Sequence, residues 1–563
     1  VRSAIQRTPD LLRVLGLPRR TLDLREAAEL ARELTAHLSL HPSEALRPWQ
    51  GQILHEIMVC GGVYAGAPVG LGKTLLGWLA PVVLDAERPM LIIPGGLRPD
   101  TYAFYQSYLG RWRRGPGIRI VSVDELALVG NVDLLDRERP DLIVIDEADT
   151  LRNPRAAAVK RIGRYVGEYE PAVCAWTGTP GRLSIMDLHH LLVWCLKDGA
   201  PLPLRAGEAA HWGLAIDEAS GYRAASRPYA GALEMLGGGG TLTGVRAAFR
   251  ARLTETPGVV IVDGDSCAQP LTVRQIVAPP DEILETHFKK FRLKHVTPDG
   301  WPTSDSLSVY RHAGELGSGM YLRWDPRPPQ WWLGPRSGFC AFVRDVIDQD
   351  IGCDTELAVA RRFPTAPEVL DWDAVKKKFT PNSVAVWLSD SVLKAVTEWL
   401  AESPEPSIVW TWNVAFGAAL SAVTGLRYFG AGGFDKNGAH VSKVAAGGAT
   451  GRRPPSIIVS GQANQRGRNF QAWARNGLVN PPRSSRYLEQ CFGRTHRAGQ
   501  TRPVVVDVFM TSGDTFDGFE ASIRESEFGR DTFGLSQKLL RANVVRTTRP
   551  QDSPYRWRFK DKE

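Results

Sequence analysis

Residues 67–74, Ala-Pro-Val-Gly-Leu-Gly-Lys-Thr, constrain this chain more than any other stretch. The apolar run Val63-Tyr64-Ala65-Gly66 leads into them and the apolar segment Leu75-Leu76-Gly77-Trp78-Leu79 comes after, a strand, loop and helix pattern. Gly70 and Gly72, flanking Leu71, let the backbone turn tightly enough to aim successive N–H groups at a phosphate. Lys73 adds a positive charge and Thr74 a hydroxyl suited to Mg²⁺. A helix starting there adds its N-terminal dipole. The general pattern G-x-x-x-x-G-K-[ST] has glycine where this chain has Ala67, so the loop taken alone also fits an ordinary turn before a helix.

The downstream residues decide between the two. Short apolar runs recur at Met90-Leu91-Ile92-Ile93, at residues 118–123, at Leu142-Ile143-Val144-Ile145 and at residues 172–176, with helical patterns between them. Continuous rather than alternating hydrophobicity predicts parallel strands buried on both faces of an α/β sheet. Ligands of such sheets bind beyond the carboxyl ends of the strands, so the polar residues there matter most. The third run ends in Asp146-Glu147-Ala148-Asp149. One carboxylate at a strand tip can hold Mg²⁺ and a second can orient or deprotonate an attacking water. The fourth run ends in Thr177-Gly178-Thr179-Pro180, a hydroxyl-bearing turn that can contact the acidic motif and transmit the state of a γ-phosphate. Before the loop, Leu46-Arg47-Pro48-Trp49-Gln50 opens a predicted helix, and the Gln50 amide can both donate to and accept from an adenine edge.

Residues 183–400 say less. His189 and His190 fall on a predicted helix with no acid or cysteine at ligand spacing, which favours packing over metal binding. Residues 237–240, four glycines, read as a hinge or loop, and residues 271–277 as an alternating strand. Phe288, Lys289, Lys290, Phe291, Arg292 and Lys294 interleave aromatic and basic side chains. They fit a solvated helix face with two buried aromatics slightly better than a nucleic-acid track. The tryptophan-rich, proline-broken residues 324–332 fit a packed surface loop as well as a base-stacking one.

A second α/β unit begins near Asp390, with buried-strand patterns at residues 408–412, 427–429, 456–460 and 504–509. It has no phosphate loop. It carries Gln490-Cys-Phe-Gly-Arg494-Thr-His-Arg497, in which two arginines three apart project from one side of a helical turn and can approach a γ-phosphate. The basic, aromatic tail (Arg541, Arg546, Arg549, Tyr555, Arg556, Trp557, Arg558, Lys560) fits DNA contact and a disordered end equally.

Composition bounds the class without naming it. At 563 residues the chain is long for one core, and a hydrophobic fraction of 43% supplies material for several. A net charge of +8 is compatible with a polyanionic partner but mild for this length. Seven cysteines form no C-x-x-C pair, which argues against a zinc ribbon or a disulfide framework and for a reducing compartment. With no signal-like apolar region and no membrane-length apolar run, the expectation is a cytoplasmic protein, bacterial or in a phage-infected cell.

Taken in order, Gly-Leu-Gly-Lys-Thr, Asp-Glu-Ala-Asp, Thr-Gly-Thr-Pro and Gln-x-x-Gly-Arg-x-x-Arg resemble the superfamily 2 helicases and translocases, DEAD/DEAH-like ATPases. Leu46 to Gln50, Asp146-Glu-Ala-Asp-Thr-Leu-Arg-Asn153 and Arg494-Thr-His-Arg-Ala-Gly-Gln-Thr-Arg-Pro503 look most like the Swi/Snf-type branch. The resemblance covers roughly residues 41–200 and 386–515. It implies an α/β fold of two tandem RecA-like parallel-sheet lobes, with ATP in the cleft between them, nucleic acid across their tops and a helical or irregular insertion separating them. The expected organisation is a helical lead-in at 1–40, a first lobe at 41–200, a connector at 201–385, a second lobe at 386–520 and a basic tail at 521–563. The implied catalytic residues are Lys73, Asp146, Glu147, Gln490, Arg494 and Arg497. Gln50, Gly70, Leu71, Gly72, Lys73 and Thr74 would bind ATP, and Thr74 and Asp146 would hold Mg²⁺. Thr177, Thr179, Gly467 and Asn469 would couple the nucleotide to motion, with Gly467-Arg468-Asn469-Phe470 the weakest part of the match. The implied function is an ATP-dependent translocase on nucleic acid, double-stranded DNA by preference. Two alternatives stand beside it: a strand-separating DNA or RNA helicase, and a nucleic-acid-binding assembly protein with a regulatory or silent ATP site.

Overall fold

The computed structural model describes residues 8–547 apart from 22, 219–232, 234–235, 238, 240, 266, 280, 304–305, 350 and 450–452. Arg549, Tyr555, Arg556, Trp557, Arg558 and Lys560 of the basic tail, and two of the four glycines at 237–240, lie outside the described residues. The chain divides into two compact units. The first comprises Val1–Asp265, Val343–Arg362 and Glu525–Gln537, and the second Ser266–Phe342, Phe363–Arg524 and Lys538–Glu563.

The first unit is built on six parallel strands: β1 (Val63–Gly66), β2 (Pro89–Ile93), β3 (Arg119–Ser122), β4 (Leu142–Asp146), β5 (Ala172–Thr177) and β6 (Val259–Ile261). Their order is β3-β2-β4-β5-β1-β6. The continuous hydrophobicity has a direct cause in packing. Tyr64, Ile92, Ile143, Ile145 and Val173 enter one core, while Val63, Ala65, Leu91, Val144 and Trp176 enter another on the opposite face. The central positions of these strands are therefore withdrawn from water on both faces, with Arg119 at the start of β3 left exposed. The lead-in helix Leu24–Leu38 packs on the helix Pro48–Cys60 so closely that a Cβ on Gly51 would stand 2.4 Å from the Ala31 Cα.

The second unit is a seven-stranded parallel sheet whose composition departs from the expected boundaries. Its strands are β7 (Leu271–Val277), β10 (Ser407–Thr411), β11 (Arg427–Phe429), β12 (Ile457–Ser460), β13 (Arg475–Val479), β14 (Val504–Met510) and β15 (Asn543–Val545). The order is β11-β12-β10-β13-β14-β7-β15, and β8 (Met320–Trp324) and β9 (Ser383–Trp387) form a separate antiparallel pair. The region expected as a connector thus supplies β7, which aligns with β14 from Leu271 opposite Val504 to Val277 opposite Met510. The expected tail supplies β15 to this sheet, and Phe528 and Phe533 to the core of the first unit.

Two ambiguous stretches resolve as packing. In the helix Glu282–Lys294, Phe288 and Phe291 are buried while Lys289 and Lys290 are exposed. Trp332 lies 6.2 Å from Trp324 and 5.3 Å from Trp372 in an edge-to-face cluster. Among the described residues, no helix is long and apolar enough to cross a membrane.

Candidate functional site

The loop after β1 is held from three sides. Gly70 and Gly72 both have φ of 90°, a left-handed conformation that a side chain would strain. The Ala67 N–H donates to the carbonyl of Thr177 at 2.9 Å, so the start of the loop is tied to the end of β5. Arg47 Nη1 donates to the Leu71 carbonyl at 2.9 Å and Gln50 Nε2 to the Gly72 carbonyl at 3.1 Å. The other end of the Gln50 amide accepts from the Arg47 N–H at 2.9 Å. Gln50 is thus buried and braces the loop, its amide oxygen accepting from Arg47 and its amide nitrogen donating to Gly72. Arg47 performs the same task, a role that its place in the Leu46 to Gln50 segment does not reveal.

Lys73 is buried, and its Nζ donates to the Ala67 and Pro68 carbonyls at 2.7 and 3.1 Å. No carboxylate lies within ion-pair distance of it among the described residues. Such an ammonium can exchange two neutral carbonyls for an anion at little cost. Thr74 begins the helix Thr74–Val83. Two glycines in the left-handed conformation, a lysine folded onto the same loop and a threonine at the helix start together fit a polyphosphate with its divalent cation.

Asp146 ends β4. Withdrawal from solvent and the neighbouring Glu147 charge raise its carboxyl to about 6, against the opposing pull of the Lys73 ammonium. Glu147 is buried and non-helical, with φ of 54° and ψ of 52°, and its N–H donates to Asp146 Oδ1 at 2.9 Å. A left-handed glutamate costs roughly 1 kcal/mol or more, and such strain persists where surrounding structure over-determines it. Thr177 Oγ1 accepts from the Thr179 N–H at 3.0 Å, closing the turn after β5. His190 Nε2 donates to the Leu151 carbonyl at 2.7 Å, binding the helix Met186–Leu196 to the segment after the acidic motif. His189 donates likewise to the Pro203 carbonyl at 2.9 Å, so both histidines serve packing. Among the described residues, no group of three or more His, Cys, Asp or Glu side chains converges on a metal position. A phosphate-bound Mg²⁺ does not require one, since it takes one or two protein oxygens plus phosphate and water.

In the second unit, the helix Ser485–Thr495 carries Gln490 and Arg494 and ends before Arg497. The two arginines therefore do not share a helical turn, because His496 leaves the helix at φ −93° and ψ 85°. They meet instead at one acceptor, the carbonyl of Arg468, at 3.2 Å from Arg494 Nη1 and 3.5 Å from Arg497 Nη1. Gln490 Oε1 accepts from Arg494 Nη2 at 2.9 Å and fixes its orientation. Burial draws the Arg497 guanidinium below its ordinary range. The weakest-matched segment, Gly467 to Phe470, is thus drawn into the arginine cluster through Arg468. Asn469 turns away from it, exchanging hydrogen bonds with Gln471 beside an open cavity of about 790 Å³.

The turn between the arginines is pinned by a residue of the expected tail. His496 Nε2 donates to the Gln269 carbonyl at 2.6 Å, which leaves Nδ1 to accept from buried Lys538 Nζ at 3.2 Å. Nothing in a Lys-Leu-Leu-Arg stretch marks this lysine as internal. Compared with models of known protein families and with curated proteins, the chain matches none.

Proposed function

We propose that both units are RecA-like lobes and that the chain is an ATP hydrolase that moves on nucleic acid, preferentially double-stranded DNA. The observation that carries this reading is the meeting of Lys73, Asp146, Glu147 and Thr177 at the carboxyl ends of three adjacent strands, β1, β5 and β4. With β5 between them, the phosphate loop and the acids stand about 9.5 Å apart, two strand spacings. That gap suits a γ-phosphate, its cation and an attacking water in line.

In this reading the N–H groups of residues 70–74 cradle the phosphates, and Lys73 moves from the Ala67 and Pro68 carbonyls onto phosphate oxygens. Thr74 and Asp146 would hold Mg²⁺, which when bound neutralises charge on the β- and γ-phosphate oxygens. Glu147, buried directly after β4, orients water and takes its proton. Arg494 and Arg497 exchange the Arg468 carbonyl for phosphate oxygens and stabilise charge in the transition state. ATP and ADP then favour different arrangements of the chain, and this differential affinity is what hydrolysis turns into motion.

Phosphate release with duplex DNA, single-stranded DNA or RNA tests the reading. Stimulation by duplex is expected. Stimulation by single strands alone points to a strand-separating helicase, and ATP binding without release points to a silent site.

A further inference from the structure

The second unit holds one feature that the nucleotide chemistry does not use. Residues 430–440 come after β11 and form a loop in which Gly432, Gly433 and Gly438 all have positive φ, at 63°, 83° and 77°. Buried Asp435 organises it, accepting from the Asn437 and Ala439 N–H groups at 3.0 and 2.8 Å and pairing with Arg427 at 2.7 Å. The loop is therefore rigid, yet it presents Phe434 at 51% exposure, ring edge to ring face with His440 at 4.9 Å. Lys436 is exposed at its tip and Lys443 just beyond. Asp435 is the lone acid of residues 427–449 and is neutralised by Arg427, so the exposed charge of this surface is positive.

The same loop is bonded to the arginine cluster. Arg468 Nη2 donates to the Gly432 carbonyl at 3.1 Å, while the Arg468 carbonyl accepts from Arg494 and Arg497. Asn464 Nδ2 donates to the Phe429 carbonyl at 3.0 Å, fixing the loop's entry.

We propose that loop 430–440 is a nucleic-acid contact of the second unit, with Lys436 on a backbone phosphate and Phe434 against the adjoining sugar or base. Arg468 links its position to the arginine pair. A rigid aromatic beside unpaired lysines is the chemistry that holds a polyanion bearing flat apolar groups. The inference rests on the nucleic-acid reading above. When Arg494 and Arg497 leave the Arg468 carbonyl for phosphate, two of the bonds on the segment that grips Gly432 are exchanged, so the loop can shift as a body with the nucleotide.

The test is equilibrium binding of labelled duplex and single-stranded DNA to the full chain across a salt series. Phe434→Ala is expected to weaken binding by about tenfold, a loss in line with removing one stacked aromatic. Lys436→Gln, a surface change that folding tolerates, is expected to reduce the slope of log K against log salt by about 1. Lys377→Gln, an exposed lysine elsewhere in the unit, serves as control. A larger loss on single strands assigns Phe434 to a base, and an equal loss on both assigns it to the sugar; either supports the contact. If the wild-type chain binds DNA and both loop variants match the control, the loop proposal is overturned while the nucleic-acid reading stands. If the wild-type chain binds neither DNA, both fall.

Discussion

The backbone N–H of Ala67 and the carbonyl of Thr177 lie 2.9 Å apart, so the loop of residues 67–74 and the hydroxyl turn are joined by a main-chain hydrogen bond. The register of β1 on β5, Gly66 opposite Thr177, makes this bond the continuation of the sheet ladder. A change at either motif is thus felt by the other without any side chain moving between them. Thr177→Val keeps that bond and removes the hydroxyl that accepts from the Thr179 N–H. It should cost about 1–2 kcal/mol in stability, the loss from leaving a buried donor unsatisfied. Urea unfolding of the two proteins checks it.

Lys73→Ala should abolish tight binding of ATP, because it removes the cation that would exchange the Ala67 and Pro68 carbonyls for phosphate. Titration with a fluorescent ATP analogue is the direct measurement, and the fold should survive, since the hydrogen bonds lost are those to the Ala67 and Pro68 carbonyls and no ion pair is broken.

Gln50→Ala discriminates a brace from a base reader. Because the amide is engaged at both ends, by the Gly72 carbonyl and the Arg47 N–H, its removal should weaken ATP and GTP by the same factor. Selective loss of ATP would show instead that Gln50 leaves the loop to read adenine.

His190 makes stability depend on pH. Burial lowers its pKa from 6.5 to about 4 while its Nε2–H is held by the Leu151 carbonyl. The unfolded chain therefore binds more protons than the folded chain between those values. The stabilising contribution is complete above the unfolded pKa and is lost as pH falls from 6.5 to about 4, by roughly 3 kcal/mol at most. Denaturant midpoints at pH 7 and pH 4.5 should converge in His190→Gln relative to wild type.

Asp354→Ala should destabilise the first unit by about 3–5 kcal/mol, the cost of stranding a buried guanidinium. Arg161 Nε and Nη2 reach the two Asp354 oxygens at 2.7 and 3.0 Å, with both side chains nearly inaccessible. Replacing both partners, as Arg161→Met with Asp354→Leu, should recover much of the loss, and thermal unfolding of the single and double variants measures it.

The fold was legible where hydrophobicity was continuous, because Ile143, Val144 and Ile145 pack alternately into two cores and leave no polar position to confuse the pattern. It was illegible where a buried strand carries polar residues. In β13, Arg475 lies 3.7 Å over the Trp399 ring and donates to the Trp399 carbonyl and Ser407 Oγ, so burial rests on partners far away in sequence. β7 itself was legible as a strand at residues 271–277, but not its place beside β14, where Arg274 pairs with wholly buried Asp507 at 2.6 Å. The candidate site divides in the same way. Motif spacing marked Lys73, Asp146, Glu147, Gln490, Arg494 and Arg497 as candidates. The contacts that hold them, from Arg47, from the Gln490 amide and from Lys538, depend on which groups the fold brings within reach.

The central claim is that the Lys73 loop and the Arg494 and Arg497 pair serve one ATP. Single-turnover phosphate release and ATP binding, measured together in Arg497→Ala, test it most directly. Turnover should fall about 10³- to 10⁵-fold, as on loss of an arginine finger, with ATP affinity within a few-fold of wild type. Turnover near the wild-type rate would contradict it.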